Sequence, residues 1–462
     1  LAFSFTFHEI SIMKSSFSLT ALVLVPVVTA VRAASIGTTI PLCDGVITGN
    51  DRDSAGILSF KGIPYASPPV GNLRWTSPTP PAKWKTTLDA TKFGYSCWNN
   101  LIGGPAYSPY NEDCLTLNVW TGASETTEKR PVLVWIYGGG FQFGTTAKPL
   151  YDGSALAQEG VILVSFNYRL GVFGFLGLEE LDNEGHQSGD FGLQDQLAAL
   201  RWVQSNIAAF GGDPDNVTIF GESAGSHSVG ILMASPLSHN LFHKAIMESG
   251  AWWDRNQRPL TSFAEARQYG LNFKNKLNLT SLAELRSISA ADINDAQPFS
   301  LTQDPGVTSF APSIDNYVIP TVPGQVFHEG KQLKIPLLAG FNAREEYVFE
   351  GNALPHATAA EFESAAKILF GDRMPEFLSL FPDNTPELLN SSSDALIGSL
   401  YIREQTWEAA NVHCQTTGEP VFAYYYNYTS AYEPIASHTA EEPFVFGNLL
   451  NNPVIGSVKP PN

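Results

Sequence analysis

Val217-Thr-Ile-Phe220 runs without a break into Gly221-Glu222-Ser223-Ala224-Gly225, and a stretch of helical spacing continues to Ala234. A β-branched and aromatic run ahead of two glycines that bracket a serine describes a strand turning sharply into a helix. Glycine on both sides permits the tight turn and leaves the serine hydroxyl exposed at the top of a sheet. The turn also sets the Ala224 N–H and a helix N-terminus beside Ser223, where charge developing on a reacting oxygen would be stabilised. A G-x-S-x-G string arises often by chance. The strand before it and the helix after it are what give it chemical meaning.

Similar runs recur on both sides of this turn: Val132 to Tyr137, Val161 to Phe166, Lys244 to Met247, Ile335 to Ala339 and Val421 to Tyr426. Near-continuous apolar runs of this length fit strands buried on both faces of a mostly parallel sheet. Between two of them Leu193, Leu197, Leu200 and Ile207 share one helical face, with Asp190 placed to cap the start and Gly211-Gly212 just past the end. Strand alternating with helix gives an α/β fold, a sheet covered by helices on both faces. Residues 255 to 330 and 350 to 410 read as helix-rich insertions roofing the site.

The chain of 462 residues is 44% hydrophobic and 16% charged, ample for a large buried core. Its 27 Lys and Arg against 45 Asp and Glu give a formal charge of −18, which repels a phosphate backbone, so no nucleic-acid partner is expected. None of the four cysteines forms a CxxC pair, which argues against a structural zinc cluster.

A serine hydroxyl needs a base to take its proton, and nine histidines are available. His227 lies four residues after Ser223 on the same helix, which carries it away from the hydroxyl, so a structural role is expected. His413 precedes the last strand. His438 follows that strand, in the small, polar loop Ala436-Ser-His-Thr-Ala440, and fits the chain order Ser, acid, His in which each residue follows a strand. Glu345 and Glu346 both follow Ile335 to Ala339 and stand as equal candidates for the acid.

Leu19 to Val31 is an apolar stretch of 13 residues between Lys14 and Arg32, shorter than the about 20 residues of a membrane-spanning helix. It reads as a secretory signal peptide cut after Ala33, with residues 1 to 12 a doubtful leader ahead of Met13-Lys14, and residues 34 to 462 as one domain. The expectation is a secreted protein with no stable membrane anchor. Asn216, Asn278, Asn390 and Asn427 head Asn-x-Ser/Thr tripeptides, candidates for glycosylation. Cys43 and Cys414 would pair with each other or stay as buried thiols.

Phe210 to Gly225, read whole, resembles the serine signature of the type-B carboxylesterase family, which includes the cholinesterases and fungal secreted esterases and lipases. Glu112-Asp-Cys-Leu-Thr-Leu-Asn-Val119 is similar to the family's second signature. The likeness runs from about residue 42 to 250 and returns in patches to 447, and is strongest to the fungal secreted carboxylesterases. It implies an α/β-hydrolase fold, an activity on small carboxylic esters, and no metal or organic cofactor. It implies a disulfide between Cys97 and Cys114, closing a loop worth roughly 3 kcal/mol by chain entropy. Tyr137-Gly-Gly-Gly-Phe141 resembles the oxyanion loop, giving Gly139 and Gly140 as N–H donors beside Ala224. Gly340-Phe-Asn-Ala-Arg-Glu345 resembles the acid segment and favours Glu345, although Glu346 stands where the family usually has glycine. His438-Thr-Ala-Glu-Glu-Pro-Phe-Val-Phe-Gly447 resembles the histidine segment.

Only 16 residues separate Cys97 from Cys114, a short loop compared with the long lid of the family's lipases, which favours soluble, smaller esters over acylglycerols. A choline-binding tryptophan would stand at Gly104, so choline specificity is not expected, and Trp252 and Trp253 are candidates for an acyl pocket. The chain ends 24 residues after His438, where the family usually adds helices, so a truncated, inactive or purely binding member is the rival reading. The oligomeric state is open.

Overall fold

The computed structural model describes residues 33–99, 107–185, 188–251, 260–298, 310–348, 354, 356–429 and 434–449. Residues 1–32, which hold nearly all of the expected signal peptide, and Gly104, Trp252 and Trp253 lie outside them. The centre is an eight-stranded sheet built from β1 (Leu58–Pro64), β2 (Thr116–Thr121), β3 (Arg130–Ile136), β4 (Ile162–Phe166), β5 (Gly212–Glu222), β6 (Lys244–Glu248), β7 (Leu337–Asn342) and β8 (Val421–Tyr426). Its spatial order is β8-β7-β6-β5-β3-β4-β2-β1. From β8 to β4 every neighbour is parallel, while β2 pairs antiparallel with both β4 and β1. Thr39–Pro41, Val46–Thr48 and Leu88–Asp89 form a separate small sheet.

The strands read from apolar runs are present, and their burial follows their place in the order. Val132, Val134, Ile136, Ile162, Val164, Val217 and Ile219 are inaccessible, as strands covered on both faces require. Two corrections concern the edges. The antiparallel strands β1 and β2 were not foreseen. β8, expected to be buried on both faces, is the end strand among the described residues, with Phe422 61% and Tyr425 59% exposed.

Helix α1 (Phe191–Asn206) buries Leu193, Leu197 and Leu200, and Gly211 adopts φ 83° after the short turn Ile207–Phe210 that extends it. Asp190 occupies the N-cap position, but its side chain does not cap. It accepts the Ser313 N–H at 3.0 Å instead, tying the first insertion to the core. Helix α2 (Ala224–Ala234) follows β5 directly and is buried along almost its whole length.

The first insertion contains α3 (Phe263–Lys276), started by a reciprocal Ser262–Glu265 capping box. The second contains α4 (Ala359–Phe370), α5 (Met374–Leu380) and α6 (Pro386–Gly398), which gather Phe362, Phe377, Leu389 and Leu396 into a hydrophobic cluster separate from the main core. α6 packs on the turn holding Glu345. α7 (Glu404–Thr417) returns the chain to the sheet beside β7 and β8. Cys97 and Cys114 are disulfide-bonded. Cys43 and Cys414 are both exposed free thiols, so neither the pairing nor the buried-thiol expectation holds. Among the described residues no helix is long and apolar enough to cross a membrane.

Candidate active site

Ser223 stands between the last residue of β5 and the first of α2, at φ 55° and ψ −122°. A non-glycine residue rarely takes positive φ, and the cost of order 1–3 kcal/mol persists only where the surroundings impose it. Here they do. The Ser223 N–H donates to Glu248 O at 2.9 Å, and Ser223 O accepts the His227 N–H at 2.8 Å. Gly225 packs so closely on β3 that a Cβ would collide with the Ile136 carbonyl oxygen. Both glycines of the motif are therefore packing requirements as well as turn requirements.

The glycine loop Gly138-Gly139-Gly140 follows β3, the strand beside β5, and so lies over the serine. A Cβ on Gly138 would come within 3.0 Å of Ser223 Cβ. Gly139 and Gly140 both have positive φ, 109° and 60°. Among the described residues neither of their N–H groups donates to a backbone carbonyl, which leaves two donors for a ligand beside the serine.

His438 and Glu345, which are 93 positions apart in the chain, meet here. His438 Nδ1 lies 2.5 Å from Glu345 Oε2, and both side chains are almost completely buried. The loops that carry them are tied backbone to backbone, Arg344 N–H to Ala436 O at 2.9 Å. Glu345 Oε1 accepts two further bonds, from Ser249 Oγ at 2.7 Å and the Asn342 N–H at 2.6 Å. Three contacts therefore hold the two oxygens of one side chain in place. Glu346 points elsewhere and binds Arg344 at 2.5 Å. Ser249, at φ 58° just after β6, and Asn342, at the end of β7, escaped sequence reading because only the parallel register places strand ends side by side.

On the other side of the imidazole, Nε2 lies 3.1 Å from Glu222 Oε1. Glu222, Glu345, Glu441 and Glu442 are all buried and act on this one histidine, and the buried Glu248 in turn acts on Glu222. Burial raises Glu222 well above the usual carboxylate range, and Glu442, Glu441, Glu345 and Glu248 add to it. Glu248 is raised by burial, then by Glu441 and Glu442, and its Oε2 makes no hydrogen bond. Burial likewise brings Glu441 up to about 7, opposed by the Asn342 amide that donates to it. For His438, burial lowers basicity, but Glu345, Glu441 and Glu442 outweigh it and leave the imidazole above its ordinary value.

The remaining predicted residues are dispersed. His227 lies one turn along α2, its ring against Gly250. His413 is inaccessible in α7 and bridges to Ile335 O at 2.8 Å. Asn278, Asn390 and Asn427 are exposed, whereas Asn216 is half-buried and accepts a bond from Lys244 at 2.5 Å.

Residues 36–456 match the carboxylesterase family. The chain is 37% identical over 415 residues to the fumonisin B1 esterase of Sphingopyxis macrogoltabida, covering 88% of this chain and 74% of that protein. It is 39% identical over 411 residues to the para-nitrobenzyl esterase of Bacillus subtilis (strain 168), covering 85% and 80%. A solved PNB esterase structure superposes with a TM-score of 0.77 at 34% identity, over 92% of this chain and 86% of that one. With its strand order, its strained serine turn and these relatives, the chain belongs to the carboxylesterase family and is a carboxylic ester hydrolase of the α/β-hydrolase fold.

Proposed function

We propose that the protein is a secreted serine esterase in which Ser223 is the nucleophile, His438 the base and Glu345 the acid. The observation that carries this reading is the 2.5 Å contact between His438 and Glu345, with the far side of the imidazole 3.1 Å from Glu222, the residue before a serine held at positive φ beneath a glycine loop. His438 Nε2 takes the hydroxyl proton as Ser223 Oγ attacks the ester carbonyl, and Glu345 holds the tautomer and balances the imidazolium. The N–H groups of Gly139, Gly140 and Ala224 receive the oxyanion. The proton then passes to the leaving alcohol. Water, activated by the same imidazole, releases the acid and frees the serine.

The substrates are small, soluble carboxylic esters. The short Cys97–Cys114 loop supports this reading, as do relatives named for fumonisin B1 and para-nitrobenzyl esters. Export is supported by the apolar stretch Leu19 to Val31 and by three exposed acceptor asparagines. The test is to label the protein recovered from culture medium with a fluorophosphonate, map the adduct, and compare p-nitrophenyl acetate with long-chain emulsified esters. An adduct on Ser223, an N-terminus near residue 34 and preference for the short ester are expected. Absent labelling would favour the inactive or binding reading, and preference for the emulsion would restore the lipase reading.

A further inference from the structure

Beyond the catalytic groups, the chain that follows His438 is fastened to one place. Thr439, at φ 70°, tightens the loop, and its carbonyl accepts the Glu442 N–H at 3.1 Å, so Glu442 sits within one turn of the imidazole. The Glu442 side chain is 2% exposed, with Oε1 accepting from Tyr151 Oη at 3.0 Å and Oε2 lying 3.2 Å from Lys148 Nζ. Lys148 and Tyr151 belong to the turn that follows the glycine loop, and the ammonium also stands 4.8 Å from the Tyr151 ring. Further along, Phe446 is inaccessible between Trp135 at 5.0 Å, Tyr151 at 5.3 Å and Phe220 at 6.0 Å. Asn448 closes the seam by donating to both Leu150 O and Asp152 O at 2.8 Å.

A carboxylate taken out of water is costly unless it is paired and hydrogen-bonded, and this one is both. The apolar contacts of Phe446 and the amide of Asn448 already hold the seam, so a neutral side chain at 442 would serve if anchoring were the only requirement. The geometry points to Glu442 as a positioning residue: gripped by Lys148 and Tyr151, it keeps the His438 loop in register with the glycine-loop side of the site and adds its charge to those acting on the imidazole. This rests on His438 acting as the base.

The other groups facing His438 are Glu345 after β7, Glu222 at the end of β5 and Glu441 on its own loop. Glu248 at the end of β6 and Tyr424 on β8 complete the charged and titratable surroundings of the cluster. Glu442 is among the carboxylates that hold the imidazole above its ordinary value against burial.

The test is the pH profile of kcat/KM for a soluble p-nitrophenyl ester, whose acid limb reports the free enzyme's base. Glu442→Gln leaves Lys148 unopposed, so the acid limb should move down by about 0.5 pH unit or more, with kcat several-fold lower and KM within about twofold. Glu442→Asp should bring the limb back toward the parent position. Adding Lys148→Met to Glu442→Gln should also bring it back, because it removes the unopposed cation. A merely structural role predicts the reverse, a second loss on top of the first. Tyr151→Phe removes one bond and keeps the charge, so it should lower kcat without moving the limb, and it remains informative if the Gln variant does not fold. An acid limb unmoved by Glu442→Gln, a double variant displaced further than the single one, or a Tyr151→Phe kcat equal to the parent's overturns the inference. A parent that hydrolyses the ester with no ionisable base in its profile overturns the triad instead.

Discussion

The serine turn and the helical roof over α4 to α6 are built on opposite terms. At the turn, the backbone of β3, the end of β5 and the start of α2 touch directly, and a methyl group on Gly225 or Gly138 has nowhere to go. In the roof, three helices meet through the side chains of Phe362, Phe377, Leu389 and Leu396, while Ile368 and Leu380 remain 86% and 69% exposed. Backbone-on-backbone packing tolerates no change and transmits every error to the chemistry. Side-chain packing in a separate cluster fails more locally, and reaches the chemistry through the contact of α6 with the Glu345 turn.

The sharpest way to break this contrast is at the nucleophile. Ser223→Ala should lower kcat by about 10⁴ to 10⁶ in steady-state ester hydrolysis, with the folded protein unchanged by circular dichroism. Glu345→Gln should follow at about 10³ to 10⁴, because the amide keeps the shape and presents the imidazole with the wrong partner. Gly225→Ala should cost about 3 kcal/mol or more of stability, read as lost soluble yield or a steep fall in the denaturation midpoint. In the roof, Phe377 contacts Phe362, Phe370 and Phe381 at ring distances of 5.6, 4.4 and 5.2 Å. Phe377→Ala should therefore cost about 3 kcal/mol, confined to α4–α6 as faster amide exchange, with kcat on a small ester within about threefold. Smallest of all, Ile368→Asp should leave both stability and rate within error. If the Phe377 variant loses activity as Gly225→Ala does, the roof is not separate from the turn.

The same contrast governs what could be read from the sequence. The turn was legible because glycine, serine and a β-branched run each state a local backbone requirement, and β8 was read with its bounds intact for the same reason. Its burial was misread, since an apolar run does not say whether a strand is central or terminal. β1 escaped because its alternation breaks at the Phe60 to Ile63 irregularity. Glu248, Glu441 and Glu442 were invisible as a group because glutamate is ordinarily a surface residue, and only the folded chain gathers these buried glutamates into one cluster with Glu222, Glu345 and His438. Asp190 stood where expected and did something else, because a buried insertion offered it a better donor than the helix did.

Among the described residues β8 has a sheet neighbour on one side only. An end strand offers a row of backbone donors and acceptors, and this one presents Phe422 and Tyr425, with Tyr428 and Phe444 exposed nearby. Where nothing else covers it, such an edge is a template on which another chain can extend the sheet, and crowding would then favour self-association. Asn427, exposed one residue past the strand, is where an attached carbohydrate would obstruct that growth. If Asn427 carries a glycan, light scattering with increasing concentration should rise faster after enzymatic deglycosylation than before it.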